Sequence, residues 1–411
     1  MLSNSCRRLG STDKGKYDVR GNTTKKNWVL YDLSEFVKNP VRSGIQRVAF
    51  EIMFHWPLTT PLVPFKIDDA GQPRFLPDNL MDLMTCFFRT GAQDDLAAVQ
   101  GIMKAGKQAS APLSPEKIFS ASCVLNPELF FDIPRIKFYE WMTSHRRIPI
   151  FFIIFDFLPW LYPDAFPVGA IGGTMHYLRL LRSIDHLAFI SDATKRDFIQ
   201  RIVRKDRVAG PVLKSGSDGL GTNAPAFSVD KKTFTVLGTL EPRKNHINVV
   251  QSFLELWLNG VQVELTFVGR LGWLENEHQE RIERLEREEP RFRWLKTLKD
   301  SQVREVVCGS RATIYPSTVE GFGLPPLESL ALGVPVIVTE ALPSIEMLPP
   351  NGQIRLPSPD VPSISQAVVS LLDDDLARRK CEEIKSLRLP MWSDLAKDVA
   401  EWIDAAVSQG Q

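Results

Sequence analysis

Apolar residues along this chain fall into short unbroken runs of strand length and longer stretches at helical spacing, and the two kinds alternate. From Ala312 to Thr339 the sequence ATIYPSTVEGFGLPPLESLALGVPVIVT reads as an apolar strand (Ala312–Tyr315), a loop carrying Glu320-Gly321-Phe322-Gly323, a helix opened by Pro325 and Pro326, and a second strand (Val334–Thr339). Proline suits a helix start because its missing N–H would have been unpaired there, and Gly333 stops the helix. Upstream, Thr233–Gly238 is a strand, Thr239–His246 a loop, and Ile247–Trp257 a helix with Ile247, Val250, Phe253, Leu254 and Trp257 at helical spacing. Val263–Val268 is the next strand, ending in Gly269-Arg270; a charged helix over about 275–289 and a strand at Phe292–Leu295 follow. Repeated β–α alternation predicts an α/β fold with a mostly parallel sheet and helices on both faces.

The N-terminal half has the same rhythm, less evenly. Trp28–Leu33 is a strand, and Ser43-Gly44 opens a helix from Ile45 to about Trp56. Ile148–Phe155 is apolar on both faces, as a fully buried parallel strand requires, and ends at Asp156. A helix near Thr174–Ser183, a strand at His186–Ile190 and a helix capped by Ser191 or Asp192 come next. Residues 57–147 are Pro-rich and mixed; strands near Leu62–Phe65 and Cys123–Leu125 and a helix near Asp94–Ala105 stand out, and no function is assigned there. From 205 to 231 glycine, serine and proline replace periodicity, the composition of an interdomain linker with exposed loop.

Composition narrows the class. A chain of 411 residues holds two or three domains' worth of sequence. Hydrophobic content of 44% and charged content of 24% are ordinary for a soluble globular protein, and a net charge of +1 makes no case for nucleic acid. Cys6, Cys86, Cys123, Cys308 and Cys381 form no CxxC pair, and their odd number argues against a disulfide framework and for a reducing compartment. No metal-ligand cluster or redox motif is visible, so no metal and no cofactor is expected. Residues 1–27 carry Arg7, Arg8, Lys14, Lys16, Arg20, Lys25 and Lys26 among small polar residues, a flexible basic arm for which contact with acidic lipid stays open. The longest apolar run, eight residues at Ile148–Phe155, is far short of the roughly 20 a membrane span needs. A cytoplasmic protein, soluble or peripheral on the membrane, is the expectation.

Candidate chemistry gathers at strand ends. A loop with two glycines lets backbone approach a ligand, and the N–H groups opening the next helix favour an anion such as phosphate. Glu320 in that loop and Glu328, read as lying in the first helical turn, frame the junction at the carboxyl end of a strand, where α/β sheets bind ligands. Carboxylates there would repel phosphate, so they should meet sugar or ribose hydroxyls. Equally, Glu328 is what a helix dipole attracts and Glu320 what a surface loop carries. Arg243 and Lys244, between a strand end and a helix, suit a diphosphate, although a solvated basic turn has the same composition. Asp156 is a site candidate or a turn-initiating aspartate, and Gly44 a phosphate-approach glycine or plain turn chemistry.

Taken together, Gly238-Thr239 with Glu241-Pro242-Arg243-Lys244-Asn245, Phe267-Val268-Gly269-Arg270, and Tyr315-Pro316-Ser317 with Glu320-Gly321-Phe322-Gly323-Leu324-Pro325 and Glu328 resemble glycosyltransferase family 4. Ser43-Gly44-Ile45-Gln46-Arg47-Val48 and Phe155-Asp156-Phe157-Leu158-Pro159 are similar to segments of its bacterial polysaccharide-forming members. The resemblance implies a GT-B fold, two Rossmann-like domains with a cleft between them. The expected division is the arm (1–27), an acceptor-binding domain (28–205), the linker (206–231), a nucleotide-sugar-binding domain (232–390) and a C-terminal helix (391–411) that packs back on the first domain. It implies retaining transfer of a hexose-type sugar from a GDP- or UDP-linked donor to a lipid-linked or oligosaccharide acceptor in O-antigen, capsule or exopolysaccharide synthesis.

On the matching positions, Arg243 and Lys244 would hold the diphosphate, Glu320 the sugar hydroxyls and Glu328 the ribose. Backbone at Gly238 and at Gly321, Phe322, Gly323 and Leu324 would meet the donor, Gly44 would close on the phosphates, and Leu298 would edge the base. Phe155 stands where many relatives have histidine, which leaves the role of Asp156 open. Arg243 and Lys244 would stabilise the leaving diphosphate, which itself takes the acceptor's proton, so that no protein base is required. A nucleotide-sugar epimerase or a non-catalytic nucleotide-sugar-binding protein on the same fold are the rival readings.

Overall fold

The structure, a computed structural model, describes residues 28–57, 59–90, 95–167, 169, 171–203, 210–222 and 227–409. The basic arm over 1–27 lies outside the described residues. The chain divides into two units: Met1–Phe155, Gly172–Ser215 and Trp392–Gln411 form the first, Asp156–Ile171 and Gly216–Met391 the second.

In the first unit, β1 (Val29–Asp32), β2 (Leu62–Ile67), β3 (Pro73–Phe75), β4 (Cys123–Asn126), β5 (Ile150–Ile154) and β6 (His186–Phe189) form one sheet in the order β3-β2-β1-β4-β5-β6. All neighbours pair parallel except β2 and β3. Every residue of β5 is buried, as its unbroken apolar sequence demands of a strand covered on both faces. Helix α1 (Ser34–Lys38) follows β1, and α2 (Gly44–Phe54) starts where Ser43 Oγ accepts the Gln46 N–H at 3.2 Å. Gly44 is therefore the first residue of a helix rather than a loop glycine, and it does not have a positive φ.

Helix α3 (Ile133–His145) lies in the stretch whose pattern was unreadable, and it buries Arg135 and Tyr139. Running the sheet in chain order, β1 leads to β2 and β3 on one side and β4 to β5 and β6 on the other, so the strand order reverses between β1 and β4. That reversal point is filled by polar side chains. Asp32 Oδ2 accepts from Arg135 Nε at 3.0 Å and from the Tyr139 hydroxyl at 2.7 Å. Arg135 Nη2 also donates to Asn126 Oδ1 and Glu128 Oε2, both at 2.9 Å, and Glu128 accepts the Glu35 and Phe36 N–H groups that open α1. Burial pushes the Glu128 carboxyl up to about 7 against the pull of Arg135.

The second unit is all parallel: β7 (Thr233–Leu237), β8 (Glu264–Val268), β9 (Phe292–Leu295), β10 (Ala312–Tyr315), β11 (Val336–Thr339) and β12 (Gln353–Leu356), in the order β12-β11-β10-β7-β8-β9. Side chains alternate across β7: Phe234 and Val236 join the large core with Val249, Val250 and Phe253 of α4 (His246–Leu258), and Leu237 joins a smaller cluster with Val268, Val307, Leu332 and Val334 on the other face. Helix α5 (Leu324–Ala331) links β10 to β11. The chain then returns to the first unit in α6 (Trp392–Gln409), which packs on α2 and sets Trp402 edge-on to Phe151 at 4.9 Å.

Two expectations change. The described part of 205–231 is exposed only in places, at Lys214, Thr222, Val229 and Asp230: Leu213, Ser215, Ser217 and Leu220 are buried, Val212 bridges Phe189, and Arg304 donates to the Leu220 carbonyl at 2.8 Å. Cys123, Cys308 and Cys381 carry free thiols, whereas Cys86 is disulfide-bonded, against the reading of uniformly reduced cysteines. Among the described residues no helix is long and apolar enough to cross a membrane.

Candidate functional site

In the second unit β7 leads to β8 and β9 on one side, β10 to β11 and β12 on the other, so strand order reverses between β7 and β10. In an open parallel sheet the crevice outside the carboxyl ends of such a pair is where ligands bind. The loops after β7 and β10 are those that carry Arg243, Lys244 and Glu320.

Tight turns fix the first loop. Gly238 has φ +131° and Asn245 φ +58°, the latter held by its side-chain amide donating to the Pro359 carbonyl at 2.6 Å. Between them Pro242–Lys244 makes a single 3-10 turn that carries Arg243 and Lys244. Beyond β8, Gly269 (φ +151°) packs so closely on the Gly238 carbonyl that no Cβ would fit.

Arg243 ties the two loops together. Its Nη2 lies 2.8 Å from Glu241 Oε2, its Nη1 pairs with Glu320 Oε2 and donates to the Val319 carbonyl at 3.2 Å. Its own carbonyl accepts from the Thr318 N–H at 2.8 Å. Ser317 Oγ donates to the other oxygen of Glu320 at 3.1 Å, so that carboxylate is held on both sides. Burial alone would favour loss of the guanidinium proton, but Glu320 and Glu241 reverse the balance and raise Arg243 above its ordinary value.

Lys244 is placed differently. Its Nζ lies over Gly238 and 5.9 Å from the centroid of the Tyr315 ring, and among the described residues it makes no hydrogen bond or ion pair with a carboxylate. His246, first in α4, is 1% exposed, with its ring edge-on to Phe267 at 5.0 Å. Burial and then the neighbouring Lys244 charge push its pKa down to about 3, so the ring stays neutral.

The second loop ends in Gly323 (φ +93°), which starts α5; Phe322 is buried, and its carbonyl accepts the Ser344 N–H at 2.9 Å. Glu328 is the fifth residue of α5, and the first turn of that helix holds no acid, so its expected place in the first turn is corrected. The left-handed glycine lets the helix begin at Leu324, one residue ahead of both prolines. Glu328 nonetheless acts on this site: Tyr315, whose hydroxyl is raised first by burial, also feels Glu320, Glu241 and Glu328, with Arg243 opposing.

Asp156 belongs to the second unit and is half-buried, its Oδ1 accepting the Leu158 N–H at 3.0 Å. Burial raises its carboxyl; the Leu158 N–H and Arg243 pull it down, and Glu320 and Glu241 push it up. Gly238, Arg243, Lys244, Glu320 and Asp156 are thus brought together, with Gly321–Leu324 and Glu328 along the second loop and α5. Leu298 is partly buried against the small cluster around Leu237 and Val307, and Gly44 lies in the first unit. Glu241 and Ser317 had no assigned role, and the signal was there: Glu241 precedes Arg243 by two residues, and Ser317 precedes Glu320 by three. Among the described residues no group of His, Cys, Asp and Glu is arranged to hold a metal ion.

This architecture is that of the two-domain GT-B fold. Residues 222–387 match the family model for glycosyl transferases group 1. It is 34% identical over 127 residues (30% of this chain, 16% of the relative) to the serotype-specific mannosyltransferase WbdA of Escherichia coli. It is 33% identical over 140 residues to O-antigen chain mannosyltransferase B of Escherichia coli, covering 34% of this chain and 36% of that one. The chain therefore spans about a sixth to about a third of these relatives. In fold it is similar to HepE of Anabaena, solved with UDP and glucose (TM-score 0.62, 13% identity, 92% of this chain and 99% of that one). It is likewise similar to sucrose-phosphate synthase of Thermosynechococcus elongatus (TM-score 0.63, 14% identity, 93% and 99%).

Proposed function

We propose that this protein is a retaining glycosyltransferase that moves a hexose from a nucleotide diphosphate sugar, GDP- or UDP-linked, to a lipid-linked or oligosaccharide acceptor in cell-surface polysaccharide synthesis. The observation that carries the reading is the pairing of Arg243 with Glu320 across the β7–β10 switch point, beside a Lys244 that has no carboxylate partner among the described residues. Relatives named as O-antigen mannosyltransferases support the acceptor class and favour mannose as the sugar.

In this scheme the diphosphate lies against Lys244 and the N–H groups opening α5, which meet its charge as the anomeric C–O bond breaks. Glu320, held by Arg243 and Ser317, accepts hydrogen bonds from sugar hydroxyls, and Glu328 from the ribose. The acceptor oxygen bonds to the anomeric carbon on the face the diphosphate leaves, and its proton passes to the leaving phosphate oxygen. Asp156 lies on the sugar side, where its carboxylate orients the ring.

The test is sugar transfer from GDP-mannose and UDP-glucose to a glycan acceptor, with the anomeric configuration of the product read by NMR. Lys244→Ala should lower kcat about 100- to 1000-fold, the usual effect of removing a transition-state charge partner. Near-normal rates in both Lys244→Ala and Arg243→Ala, or an inverted product, would sink the proposal.

A further inference from the structure

An arginine beside a sugar site is ordinarily the residue that recognises a substrate carboxylate, through the two parallel bonds its planar fork offers. Here both terminal nitrogens of that fork are already engaged and the third is out of reach. Nη2 forms an ion pair with Glu241 at 2.8 Å, Nη1 is divided between Glu320 and the Val319 carbonyl, and Nε is buried, without a hydrogen-bond partner among the described residues. The guanidinium side chain is 13% exposed, and the ring of Phe166 covers it at 5.9 Å. Around this one cation stand Glu241, Glu320 and Asp156, so the immediate surroundings are acceptor-rich and carry excess negative charge.

We infer that Glu241 is a specificity-determining residue of the donor site: by pairing with Arg243 together with Glu320 it shapes a sugar subsite that takes an uncharged sugar and refuses a uronate. The inference rests on the donor-site reading above. Sugar hydroxyls are donors and find carboxylate acceptors; a sugar carboxylate would find like charge, both terminal guanidinium nitrogens engaged and Nε buried. Rejection by unpaired like charge discriminates more sharply than a lost contact. Lys244 lies over Gly238, makes no ion pair with these carboxylates among the described residues, and stays with the phosphates. Glu241 is thus a positioning residue for Arg243, and its own carboxylate is part of the barrier.

The experiment compares donors that share a nucleotide and differ in sugar charge: UDP-glucose with UDP-glucuronate, and GDP-mannose with GDP-mannuronate, by competition binding to the full chain. For the nucleotide the protein prefers, the uronate should bind at least about 100-fold more weakly than the neutral sugar. In Glu241→Gln that ratio should shrink about tenfold or more, whatever the change in overall affinity, and Glu241→Asp should restore most of it. A merely structural role would weaken both donors together and leave the ratio fixed. Equal binding of uronate and neutral sugar by the unmodified protein overturns the inference while leaving the transferase reading intact, and this comparison needs no variant to fold. An unchanged ratio in Glu241→Gln also overturns it. Failure of all four donors to bind overturns the donor-site reading and the inference with it.

Discussion

Gly238 makes room for Lys244: a Cβ at Gly238 would stand 2.5 Å from Nζ. The same residue has φ +131°, which an L side chain rarely adopts. One glycine therefore serves the backbone turn after β7 and the placement of the Lys244 ammonium.

Gly238→Ala separates these two roles. The lysine tip is flexible and can yield, so the stability cost comes from backbone strain, on the order of 1–3 kcal/mol. The functional cost comes from the displaced ammonium. Donor affinity should fall about tenfold or more while the melting transition drops by a few degrees. An alanine variant that melts lower yet binds donor normally would show that Lys244 does not need its place over Gly238.

Arg243 and Glu320, 77 residues apart in sequence, can be tested as a pair. Each alone leaves a buried charge without its partner, so Arg243→Ala and Glu320→Gln should each lower stability by about 3 kcal/mol, and the double variant by much less than their sum. Arg243→Lys should not rescue, since Glu241 is met by Nη2 and Glu320 and Val319 by Nη1, and lysine offers one nitrogen in place of that planar fork. Strict additivity in urea unfolding would mean that the ion pair does not hold the two loops.

The central strands and the two loops were legible because a strand buried on both faces leaves no polar interruption and glycines mark its exits. The stretch 57–147 was not, and α3 shows why. It exposes Ile133 by 41% and buries Arg135 to 1%, inverting the rule on which periodicity depends. What permits this is Asn126 at the end of β4 and Glu128 just beyond it, which carry no helical periodicity, and above all Asp32 of β1, 103 residues away and outside any local window. Glu241 was opaque for a related reason. Beside Pro242 it has the composition of a turn, and only the return of the chain after β10 brings Glu320 to the other arm of the same arginine. Spacing revealed the two cations but not that one is neutralised and the other is not.

His246 gives the second unit a pH dependence whose sign follows from its burial. The ring titrates near 6.5 when unfolded and is pushed down to about 3 in the fold, so between those values the unfolded chain binds the extra proton. Its contribution is therefore complete above pH 6.5 and is lost as pH falls toward 3, amounting to about 2 kcal/mol between pH 7.5 and pH 5. Among the described residues neither ring nitrogen meets a partner at full hydrogen-bond geometry, the Glu241 backbone being a weak neighbour outweighed by burial and Lys244, and the ring already packs edge-on to Phe267, so phenylalanine can take its place at the loss of that one weak contact. His246→Phe should match the parent or exceed it at pH 7.5, and gain about 2 kcal/mol on it at pH 5, in urea unfolding followed at both pH values. Parallel pH profiles would mean that the buried ring is not the group being protonated. Because the residue adjoins Lys244, donor affinity measured at pH 7.5 provides the control: a variant that keeps it has lost the proton site and left the cation in place.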